Sequence, residues 1–81
     1  MIEEKDILSI WKERIESEAK HNDRTNACRN ANRAYTTFQN ALKREKYSDL
    51  SDAELQVLEE LMKILDARKE AAQKLLEQYA K

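Results

Sequence analysis

Apolar residues recur at three- and four-residue intervals along most of the chain, and the lapses in that rhythm divide it into three helical stretches. In the first, about residues 3–20, Ile7, Leu8, Trp11, Ile15 and Ala19 share one helical face. Glu3, Glu4 and Asp6 stand in its first turns, where carboxylates complement the positive end of the helix dipole. The rhythm lapses through His21-Asn22-Asp23-Arg24-Thr25-Asn26. Asn22 there suits a left-handed helix end, and Asp23 or Thr25 suits the cap of the next helix.

The second stretch covers about residues 24–47. Cys28, Tyr35 and Leu42 recur every seven residues with Ala31 and Phe38 between them, and Ala27, Ala34 and Ala41 form a shoulder of small side chains. Small residues on a shoulder let a neighbouring helix approach closely. Lys43, Arg44 and Lys46 close this helix at its negative end. The third stretch, about residues 51–80, opens on Ser51-Asp52-Ala53-Glu54, a capping box flanked by Leu50 and Leu55 at the positions of a hydrophobic staple. Its apolar residues, from Val57 to Tyr79, span an arc of roughly 200° on a helical wheel, which calls for at least two neighbours. The same width predicts a weak homodimer, because one short chain does not cover it.

The expected fold is all-α, one domain over residues 1–81, a small antiparallel three-helix bundle with helices at about 3–20, 24–47 and 51–80. The alternative fuses the first two helices into one rod, a long helical hairpin that pairs into a dimeric bundle. The polar gap at residues 21–26 argues against the rod.

Composition narrows the function. The 81 residues include no Gly and no Pro, so phosphate-cradling loops and nucleophile elbows have no material. With 38% charged and 41% hydrophobic residues, the chain is too apolar for a disordered tail and too charged to span a bilayer. The apolar cluster at residues 57–65 is itself broken by Glu59, Glu60 and Lys63. Ile2-Glu3-Glu4-Lys5-Asp6 has nothing of a signal peptide, and a lone Cys28 cannot form an internal disulfide. A cytoplasmic protein is expected, in a cell or delivered there by a phage or other mobile element.

Candidate chemistry is sparse. Cys28 and His21, seven residues apart, contain the atoms of a nucleophile and its base, but no third group or oxyanion hole accompanies them. Cys28 reads instead as a small core residue. One His and one Cys do not make a zinc site, and no EF-hand pattern of carboxylates and Gly is present. Neither an enzyme nor a cofactor or metal is expected.

Charge is the informative asymmetry. Residues 1–21 and 48–81 are acidic, at net −2 and −3, whereas residues 22–47 set six basic groups against Asp23 and Glu45, for net +4. Arg29, Arg33 and Arg44, interleaved with Asn26, Asn30 and Asn40, form the candidate partner-binding surface on the second helix. Arg33 and Arg44 would lie about 16 Å apart along one axis. Trp11 reads first as a core residue; at a bundle edge with Ile7 and Ile10 it is the candidate interface anchor on the first helix. Arg, Asn and Thr contact phosphates and base edges, which makes a nucleic-acid-binding regulator the second reading. The overall charge of −1 favours a protein partner. The expected function is therefore a non-enzymatic protein–protein interaction module: an adaptor, inhibitor, immunity factor or small chaperone. Arg68, inside the apolar arc of the third helix, is expected to snorkel to the surface, to pair with a carboxylate of the first helix, or to sit at an interface. Lys46-Tyr47-Ser48-Asp49-Leu50-Ser51-Asp52-Ala53-Glu54-Leu55 resembles a turn in the Hha family of small bacterial nucleoid modulators; the likeness consists mostly of helix-cap grammar and assigns no family.

Overall fold

The chain begins its described course, in a computed structural model covering residues 6–80, with a carboxylate that does two jobs. Asp6 accepts the backbone N–H of Leu8 at 3.1 Å and so caps α1 (Ile7–Glu18); it also accepts the N–H of Tyr47 at 2.6 Å. The start of α1 is thereby tied to a segment 41 residues further along. The expectations for Ile2, Glu3, Glu4 and Lys5, including a helix start at residue 3, lie outside the described residues.

Among the described residues every regular element is helical: α1 is followed by α2 (His21–Asn30), α3 (Tyr35–Lys43), a 3-10 turn (Tyr47–Asp49) and α4 (Asp52–Tyr79). The break after α1 falls at Ala19 and Lys20, both in extended conformation, a little earlier than the polar gap suggested. Asn22 does not end a helix but lies within α2. Asp23 does cap, from inside the first turn, where its carboxylate accepts the N–H of Lys20 at 2.8 Å. The fused rod is not formed.

The expected second helix at residues 24–47 is corrected to two helices, so α1–α4 replace the three-helix bundle. The cause is Asn32, which adopts φ 56°. Its N–H donates to the carbonyl of Arg29 at 3.0 Å, and the N–H of Arg33 donates to that of Cys28 at 2.9 Å. This pair of bonds is a Schellman termination, with Asn where Gly would ordinarily sit. Asn tolerates the left-handed region better than other residues with a Cβ, at some cost relative to Gly. Asn32→Gly should consequently raise stability by about 0.5–1 kcal/mol, read as a shift in the urea midpoint. Asn32→Val should lower it.

The capping box of α4 is as the sequence indicates: Glu54 N–H donates to Ser51 Oγ at 3.2 Å, and Ser51 N–H to Glu54 Oε1 at 2.9 Å. Helices α1, α2 and α3 all pack against α4. Contacts from Arg33 to Gln56 and from Asp23 to Arg68 show α2 running antiparallel to it. The core gathers Leu8 and Ile15 of α1, Ala27 and Cys28 of α2, Phe38 and Ala41 of α3, and the α4 row Val57, Leu58, Leu61, Met62 and Leu65. The Ala shoulder works in part: Ala27 and Ala41 are fully buried, while Ala34 is exposed.

This core ends at Leu65. From Asp66 to Ala80 every residue of the chain is exposed. At 1.5 Å per residue the 28 residues of α4 extend about 42 Å, and roughly its last 21 Å forms an arm beyond the packed body. The radius of gyration, 14.4 Å, exceeds the roughly 12 Å of a compact chain of this length for that reason.

Candidate functional site

The expected partner-binding residues do not form one surface. Asn26, Arg29 and Asn30 are exposed on one face of α2, and exposed Arg33 follows in the α2–α3 link, its guanidinium donating to Gln56 Oε1 at 3.2 Å. Asn40 is exposed on the separate helix α3. Arg44 caps the end of α3, and its guanidinium grips the buried Glu54 carboxylate at 3.2 and 3.3 Å. Its carbonyl also accepts from Lys12 Nζ. Arg44 thus serves an internal pair, and the stripe from Arg33 to Arg44 along one axis is corrected: the break at Asn32 leaves Arg33 in the link, outside the helix that Arg44 caps. Trp11 is half-buried, edge-on to Tyr47 with ring centroids 5.7 Å apart, so it clasps the 3-10 turn to α1. Ile7 and Ile10 beside it remain exposed.

Cys28 and His21 are two turns apart on α2, about 10.5 Å along the axis, too far to share a proton. His21 lies against Tyr35 instead, ring centroids 6.2 Å apart. Burial pushes the Cys28 thiol up, away from the reactive thiolate. The described residues contain no group of three or more His, Cys, Asp or Glu side chains able to hold a metal, and no helix long and apolar enough to cross a membrane.

What the structure does assemble is an elbow at the root of the arm. Arg68, the oddity in the apolar arc, reaches from α4 to the Asp23 carboxylate of α2 and to the carbonyl of Glu18 at the end of α1, the latter at 3.3 Å. One guanidinium thereby satisfies the end of α1 and the first turn of α2, where both chain directions meet α4. The Arg68 hydrogen bond, helped by the Lys20 N–H, holds the Asp23 carboxyl below the usual carboxylate range despite its burial. Beside it Arg14 binds both Glu18 at 3.0 Å and Asp66 at 2.8 Å, a bridge between α1 and the first exposed turn of the arm. The Glu18 hydrogen bond, with that of Asp66, holds the Arg14 pKa above its ordinary value, and the same bond lowers that of Glu18.

Between this elbow and α4 lies an open cavity of about 400 Å³, lined by Glu18, Lys20, Leu65, Arg68, Lys69 and Ala72. Its lining combines the apolar Leu65 and Ala72 with the long side chains of Lys20, Arg68 and Lys69. A smaller cleft of about 250 Å³ lies between Lys12, Ile15 and Glu16 of α1, Arg24 of α2 and Leu42 of α3.

The arm resumes the apolar face of α4 beyond Arg68. Ala71, Ala72, Leu75, Leu76 and Tyr79 fall within an arc of about 140° that overlaps the face covered by α1–α3 further back. Leu75, Leu76 and Tyr79 are 53, 67 and 84% exposed. These residues, Asp23 and the elbow were not among the candidate site residues. The signal in the sequence was the nine-residue continuation of apolar spacing from Ala71 to Tyr79. No protein-family model, curated protein or solved structure matches the chain.

Proposed function

We propose that the protein is a non-enzymatic, cytoplasmic protein–protein interaction module whose docking surface is the arm of α4. The observation that carries this reading is the apolar face of residues 71–79, a continuation of the core row with nothing of the described chain packed on it. Helices with one apolar face bury that face against a partner. The body holds the root of the arm through the Arg68 and Arg14 contacts, and a partner would meet the helix beyond them.

A second reading rests on a different feature. The break at Asn32 leaves α2 and α3 joined by residues 31–34, the spacing of a helix–turn–helix unit. Thr36, Gln39, Asn40 and Lys43 are then exposed on α3 at i, i+3, i+4 and i+7, residue types suited to base edges and phosphates. The net charge of −1 ranks this reading second.

The two are separated with the full chain, Leu75→Glu with Leu76→Lys as an arm variant, and Arg29→Glu with Arg33→Glu as an α2 variant. The arm reading expects protein complexes captured by the wild type to be lost from the arm variant and kept by the α2 variant. It also expects weak binding of duplex and single-stranded nucleic acid at about 0.15 M salt. Tight nucleic-acid binding that weakens steeply with salt and survives the arm substitutions overturns it in favour of α2–α3.

A further inference from the structure

We propose that the arm is covered by a second copy of this chain: two arms pack antiparallel about a two-fold axis, Leu75 of each against Ala72 of the other, and Tyr79 of each enters the elbow cavity of the other. The inference rests on the reading of the arm as the docking surface and names its occupant.

The seam comes first. Leu58, Leu61, Leu65, Arg68, Ala72, Leu75 and Tyr79 alternate at intervals of three and four residues, the spacing of helix-on-helix packing. In the body this seam faces α1–α3. In the arm it offers one small residue, Ala72, and one large one, Leu75, a turn apart. A two-fold axis midway between them sets small against large on both sides at once, which is what an isologous contact requires.

The register then fixes where Tyr79 goes. It lies five and a half residues beyond the axis, about 8 Å, and so arrives level with Arg68 of the other copy. The cavity of about 400 Å³ opens there, on the same face of α4, and shares Ala72 with the seam. Leu65, Ala72 and the aliphatic stems of Lys20, Arg68 and Lys69 in its lining suit a phenol ring, and the charged groups of the same lining suit the hydroxyl. The tip of one arm and the root of the other are complementary by position and by chemistry.

Charge permits the pairing. Asp66, Glu70 and Glu77 balance Arg68, Lys69 and Lys74 along the arm, so two copies do not repel. Area sets the strength. The exposed fractions of Leu75, Leu76 and Tyr79, with the two alanines, amount to roughly 400–500 Å² on each arm. Two arms together thus cover about 800–1,000 Å², below the ~1,200–2,000 Å² of stable complexes. The dimer is a weak one, populated by concentration.

Sedimentation equilibrium on the full chain, from about 10 μM to about 1 mM, tests it. The expected mass rises from the 9.6 kDa of one chain toward twice that value. Leu75→Glu with Leu76→Lys, both good helix formers on an exposed arm, should weaken association at least tenfold with far-UV helicity unchanged. A benzophenone side chain at position 79, in a mixture of ¹⁴N- and ¹⁵N-labelled chains, should cross-link to residues 18–20 or 69–72 of the other copy. A mass that stays at one chain overturns the second copy as occupant; if the arm variant still loses a different protein partner, the docking reading survives without it. A dimer indifferent to the arm substitutions, or cross-links from position 79 to position 79, overturns the proposed pairing.

Discussion

Phe38→Ala is expected to cost about 3–5 kcal/mol, because it opens a cavity under the largest fully buried side chain that joins α3 to the core row of α4. Phe38 is 1% exposed and packs against Tyr35 with ring centroids 5.6 Å apart. A domain of this size has roughly 5–10 kcal/mol of total stability, so the variant should approach its unfolding midpoint near room temperature. Thermal unfolding followed at 222 nm should show a drop on the order of 15–30 °C. The companion measurement is Leu76→Ala, which deletes a side chain of similar hydrophobicity from a site 67% exposed. Its effect should stay within about 0.5 kcal/mol. Equal losses from the two variants would contradict the division of α4 into a packed half and an arm.

The second large effect belongs to the buried carboxylates. Asp23 is 5% and Glu54 4% exposed, and each stands in the first turn of its helix with an arginine from another element. Burial by itself would raise the Glu54 pKa; the Ser51 N–H and the Arg44 guanidinium outweigh it and leave the group below its usual range. For Asp23 the Arg68 hydrogen bond dominates, in the same direction. Both folded-state values thus lie below the unfolded ones. The contribution is fully present at neutral pH, where both states are ionised, and is lost as pH falls through the unfolded values toward the lowered folded ones. Urea midpoints should hold between pH 7 and about 5 and then decline toward pH 3. Asp23→Asn should cost about 1.5–3 kcal/mol at pH 7, since it removes the charge that Arg68 and the Lys20 N–H share. Its stability should also decline less with acid than that of the wild type. A variant with the wild-type acid slope would show that Asp23 is not the titrating group.

Much of the helical core was legible in the sequence because core positions declare themselves by periodicity. Leu8, Ile15, Cys28, Phe38, Ala41 and the α4 row fell where three-four spacing put them, and the Ser51–Glu54 box marked its helix to the residue. The misreading was one residue wide. A continuous helix over residues 24–47 would extend about 36 Å and would nearly match α4, leaving little of it bare. Asn32 cuts that length into helices of 10 and 9 residues, about 15 Å and 14 Å long, and the far half of α4 loses its cover. A left-handed residue gives little warning in a pattern of hydrophobic spacing, since Asn30-Ala31-Asn32 continues the helical rhythm on either side. The same break moved the candidate surface. Arginines expected along one stripe were dispersed, with Arg44 committed to Glu54, while the apolar excess first seen as a 200° arc became localised on the arm.

Beyond the Arg14–Asp66 and Arg68 contacts the arm is a helix end of about 10 residues, a length that is marginal in water even when the sequence favours helix. The two halves of α4 therefore have different energetics although they share one axis. Amide protons before Leu65 are shielded by the cooperative unfolding of the whole core. Those of the arm beyond its first turn are shielded only by fraying, and exchange with solvent through local opening. A partner seated on the arm must offset only the free energy of that local opening. In return, occupancy would be visible as slowed exchange over residues 70–79 alone, at the far end of the helix from any change in the body.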